Sequence, residues 1–90
     1  MNNFADILTT LQNTVPKVDL ERSRYYYISE QKPHVSLRIS RPSSFDNYGD
    51  ILARVTLLNR DKIVLDNLIT YNTDLEKFFE KVARKIELCR

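Results

Sequence analysis

From His34 to Arg41 the chain alternates without interruption. Val35, Leu37 and Ile39 fall on one side of an extended backbone, and His34, Ser36, Arg38 and Ser40 on the other. A period of two marks a strand with one buried face and one wet face. The same rhythm returns from Ile51 to Leu58, which places Ile51, Ala53, Val55 and Leu57 inward and Arg54 and Thr56 outward. Residues 23–29, rich in Tyr and Ile, read as a strand before these two, and residues 63–71 as a less regular fourth. Polar stretches at 30–33, 42–50 and 59–62 separate the strands.

The rhythm changes at both ends of the chain. Phe4, Ile7, Leu8, Leu11 and Val15 recur at helical spacing and predict a helix over 3–15. Asn3 suits its N-cap, Asp6 suits the positive end of the helix, and Pro16 disfavours helical geometry at Val15. Residues 16–22 then read as a connector. Leu75, Phe78, Phe79, Val82, Ile86 and Cys89 line one face of a second helix. Thr73 and Glu76 have the spacing of a capping box at its start. The pattern predicts a single α+β domain over 1–90, in the order α-β-β-β-β-α. The economical packing of two apolar helix stripes is against the one apolar face of an antiparallel sheet, which leaves the other face uncovered.

Ninety residues with 42% hydrophobic and 29% charged content suit one globular domain. A chain of this length buries roughly 60–65% of its unfolded surface, which leaves little room for a deep substrate cavity. Gly49 is the one glycine, which argues against phosphate-cradling loops. Cys89 is the one cysteine, so no intrachain disulfide forms. The start MNNFADILTT lacks the charge and apolar run of a signal peptide, and no stretch has the length of a membrane span. These features point to a cytoplasmic protein without a membrane role.

The net charge of +2 is unevenly spread. From Arg22 to Arg41 five basic residues face one acid, Glu30, whereas the 42–50 loop carries Asp46 and Asp50. Such asymmetry suggests an anionic partner. The run RYYYISE over 24–30 sharpens the question. If Ile28 points inward then Tyr26 does too, and Tyr25 and Tyr27 share the outer face with His34, Arg38 and Arg54. Aromatics among cations on an open sheet suit base stacking and phosphate neutralisation. Tyr is also a favoured strand residue that stabilises a sheet by packing across strands.

Comparison with nucleic-acid folds does not extend that similarity. A double-stranded-RNA-binding domain opens its last helix with lysines, whereas TDLEK opens it here. The RNP run of RRM domains is flanked by Gly, and RYYYISE has none. Phe45 and Tyr48 lie in the nine-residue 42–50 loop, long enough to carry function, and suit anchoring to a protein partner. His34 is the lone histidine and lacks partners for a metal site or for covalent catalysis. Asp46 with Asp50, or Asp61 with Asp66, could form a carboxylate pair, but acids in loops and turns serve chiefly as turn formers and solubilisers.

The size, the near-absence of Gly and the helix–sheet–helix order resemble small phage-encoded inhibitors such as some anti-CRISPR proteins. The resemblance covers architecture and carries no residues over. It implies a binding module rather than an enzyme. The expectation is a non-catalytic inhibitor or adaptor, with no cofactor and no metal, that docks on a protein or nucleoprotein complex with an acidic surface. Its contacts would come from Tyr25, Tyr27, His34, Arg38, Arg41, Phe45, Tyr48 and Arg54. Direct nucleic-acid binding by the same face is the alternative.

Overall fold

A computed structural model describes residues 3–15, 18–21, 26–29, 32–41 and 51–90; over 18–21 and 26–29 it describes the backbone and its pairing. The elements are α1 (Phe4–Thr14), β1 (Val18–Glu21), β2 (Tyr26–Ser29), β3 (Lys32–Ser40), β4 (Ile51–Asn59), β5 (Lys62–Thr70) and α2 (Leu75–Leu88). The fold is α+β, with two helices and an antiparallel sheet. Three long strands, β3 to β5, make the body of the sheet, and β2 and β1 extend it in the order β1-β2-β3-β4-β5. The sequence pattern predicts four strands. The fifth is β1, inside the segment read as a connector. Its four residues, VDLE, are too few to display a period against the polar residues around them.

Helix α1 begins as its sequence predicts. The Asn3 Oδ1 accepts from the Asp6 N–H at 2.9 Å, and the Asp6 carboxylate accepts from the Asn3 N–H at 2.8 Å. Each side chain satisfies a backbone donor that a helix start leaves unpaired. Ile7 and Leu11 are fully buried, and Val15 closes the stripe in an extended conformation. On β3 the buried residues are Val35, Leu37 and Ile39, and on β4 Ala53, Val55 and Leu57. Leu65 and Ile69 continue that face on β5, and Leu75, Phe79, Val82 and Cys89 face it from the last helix and its C-cap. These side chains form one cluster, so both helix stripes are buried against one side of the sheet.

Two irregularities break the simple period. Leu57 pairs with Leu65 and Leu58 with Ile63, which leaves Val64 as an extra residue on β5. Ile51 pairs with Thr70 and Ala53 with Ile69, which leaves Leu52 as an extra residue on β4. Each bulge shifts the inward–outward parity by one. The pattern places Ile51 inward with Ala53; the bulge at Leu52 puts it instead at the rim of the outer face, half-buried. Between β4 and β5, Arg60 and Asp61 have φ of 52° and 67°. Two successive residues in the left-handed region give the tight turn whose twist matches an antiparallel hairpin.

The start of α2 departs from the predicted capping box. The N-cap is Asp74, whose carboxylate accepts from the Lys77 N–H at 3.2 Å. Thr73 instead closes the connection from β5, its hydroxyl accepting from the Thr70 N–H at 2.9 Å. The far end is held by a residue remote in sequence. Lys32, the first residue of β3, donates from Nζ to the carbonyl oxygens of Ile86 (2.9 Å), Glu87 (2.6 Å) and Cys89 (2.8 Å). An ammonium has three donors, and a helix end offers unpaired carbonyls at the negative pole of its dipole. The Cys89 thiol adds a bond to the Lys85 carbonyl at 3.2 Å. No helix of the described residues is long and apolar enough to cross a membrane.

Lys32→Met keeps the stem and removes the ammonium. It should lower unfolding stability in urea by roughly 1–3 kcal/mol, as for loss of charge-assisted hydrogen bonds at a helix end. The amides of the last turn of α2 should exchange faster. A loss below about 0.5 kcal/mol would mean that water serves those carbonyls equally well.

Candidate docking face

The side of the sheet that neither helix covers is organised by strand register. Residues paired directly across a ladder lie on the same side, so the pairs define rows. Ser36, Leu58 and Ile63 make one row, Arg38, Thr56 and Asp66 the next, and Ser40, Arg54 and Leu68 the third. All of these but Ser36, with Arg41 and Ile51 at the rim, line a concavity of about 480 Å³. Arg38 is exposed at its centre. Ile63 and Leu68 are 62% and 51% exposed, so this face carries aliphatic side chains in water beside Arg38.

One ion pair crosses the rows. Arg54 donates from Nε to Asp66 Oδ1 at 2.9 Å and from Nη2 to Oδ2 at 2.6 Å. The Thr56 hydroxyl donates to the same carboxylate at 3.3 Å. The Arg54 bonds hold the pKa of Asp66 below its ordinary value, with help from the charge of Arg54 and from Thr56, against a smaller opposing effect of desolvation. The guanidinium has half its surface in water, so the bidentate geometry contributes orientation more than stability. At the rim the Arg41 guanidinium lies 4.6 Å from the centre of the Phe4 ring, a cation–π contact that ties α1 to the end of β3.

The predicted site residues divide. Arg38 and Arg54 lie on the outer face and Arg41 on its rim. His34 is half-buried, and among the described residues its Nε2 is enclosed without a hydrogen-bond partner. Tyr25, Phe45 and Tyr48 lie outside the described residues. For Tyr27 the structure describes the backbone, which pairs with Leu37 on one flank and Leu20 on the other, while Tyr26 pairs with Arg38 and Glu21.

The sequence pattern does not single out Leu58, Ile63 or Leu68. For Ile63 and Leu68 the signal is the irregular alternation of KIVLDNLIT, which becomes regular once one residue is set aside as a bulge. Neither a protein-family model, nor a curated protein, nor a solved structure matches the chain.

Because the pKa of Asp66 is lower folded than unfolded, its contribution is complete above the unfolded value and fades as pH falls through the folded one. Asp66→Asn should therefore cost less than about 1 kcal/mol at neutral pH, as exposed pairs do, and nothing in strong acid. Carboxyl titration by NMR checks this: an Asp66 that titrates at or above the usual aspartate value contradicts the pairing.

Proposed function

We propose that this chain is a non-catalytic binding protein, an inhibitor or adaptor, that docks on a protein or nucleoprotein partner through the outer face of β3–β5. The observation that carries this reading is the concavity itself. Exposed Ile63 and Leu68 stand beside exposed Arg38 on the side of the sheet that neither helix covers. Aliphatic side chains held in water gain roughly 1–3 kcal/mol each on full burial, which a partner surface supplies. Arg38 and Arg41 set orientation and select an acidic surface. The mechanism is steric: a rigid sheet face covers the partner's working surface.

Direct binding of nucleic acid by the same face is the competing reading. One observation weighs against it: Asp66 already neutralises Arg54, which weakens the attraction for phosphates.

Two measurements test the proposal. A photo-crosslinking residue placed at position 38 or 68 in the expressing cell should yield protein adducts, and one at exposed Arg84 on α2 should not. Equal yields from all three, or none from the sheet, would remove the docking face. A labelled oligonucleotide titrated at low and at physiological salt should show no binding tighter than micromolar. Tight binding that weakens steeply with salt would favour the nucleic-acid reading instead.

A further inference from the structure

The outward rows set the chemistry of the concavity from end to end. Leu58 and Ile63 form an apolar row, and Arg38, Thr56 and Asp66 a polar one. Arg54 beside Leu68 follows, with Ile51 beyond. Rows two residues apart along a strand are separated by roughly 6–7 Å. The apolar ends therefore stand about 13–20 Å apart, with cations between them. An α-helix rising ~1.5 Å per residue covers that span in about nine to thirteen residues, or roughly three turns.

We infer that the occupant of this face is an amphipathic helix of a partner protein whose docking side reads aliphatic, acidic, aliphatic. The inference rests on the proposed binding role and names the partner's chemistry. Charge separates the candidate occupants. The lining cations Arg38, Arg41 and Arg54 outnumber the lining acid Asp66, so a second copy of this chain would bring like charges together. A nucleic-acid strand offers phosphates to Arg38 but leaves Ile63 and Leu68 uncovered. An acidic helix satisfies both demands. Its carboxylates face Arg38, and its aliphatic ends cover Leu58 with Ile63 and Leu68 with Ile51. The ring of Phe4 already holds Arg41 at the rim, so less freedom is lost when a carboxylate arrives there. Asp66 opposes the incoming acid, which gives the model a directional signature.

The probe is a synthetic helical peptide of about twelve residues, with Leu at both ends of one side and Glu in the middle of it. It is titrated into the isotopically labelled full chain and followed by amide NMR. Shifts should be confined to the outward rows of β3–β5. A peptide with Lys in place of Glu should bind about tenfold more weakly, Arg38→Glu should weaken the acidic peptide about tenfold, and Asp66→Asn should tighten it several-fold. Equal binding of the two peptides overturns the inference. So do shifts centred on the helices, weaker binding by Asp66→Asn, or a preference for phosphatidylserine vesicles or an oligonucleotide. If the peptide fails while positions 38 and 68 still crosslink, the helix assignment is wrong and the docking face stands. If crosslinking fails as well, both fall.

Discussion

One constraint governs the molecule: two helices, each with a single apolar stripe, share the single apolar face of one sheet. Ile7 and Leu11 from α1 and Leu75, Phe79 and Val82 from α2 join one cluster with β3, β4 and β5. Among them Phe79 is the largest fully buried side chain, and the ring of Phe78 meets it edge-on at 5.2 Å. Neither helix reaches the opposite side, so among the described residues that outer face is a by-product of how the core is made.

The formal charges overstate how cationic that face is. Lys32 belongs to the basic stretch of the sequence, yet its ammonium is absorbed by the end of α2. Arg54 shares its charge with Asp66, and Arg60 donates to the carbonyl oxygen of Arg90. What the described face presents is Arg38, with Arg41 at the rim. A compact positive centre between aliphatic ends favours a partner that combines carboxylates with apolar side chains. A polyanion needs a broad field instead.

Much of the architecture was legible in the sequence because periodicity reports burial directly. The alternations at Val35–Ile39 and Ala53–Leu57 and the stripes of both helices match the buried residues. The failures share a physical cause, which is that local pattern does not contain pairing. Val18–Glu21 becomes a strand because β2 lies beside it, not because four residues demand it. The extra residues at Leu52 and Val64 invert parity, so simple alternation misplaces Ile51 and hides the outward placing of Ile63 and Leu68. The Lys32 contact joins residues 54 apart in sequence and has no local trace.

The bulge at Val64 has a consequence beyond parity. β5 is the last strand of the sheet, nine residues long, with Ile63, Val64 and Leu68 all exposed. A regular ribbon of that kind, with its outer amides and carbonyls in even array, is a template on which a neighbouring molecule adds its own strand and growth continues. An inserted residue disturbs the spacing of those groups and twists the ribbon locally, so a flat incoming strand cannot stay in step. The bulge thereby guards this edge, with its exposed aliphatic side chains, against the addition of a further strand.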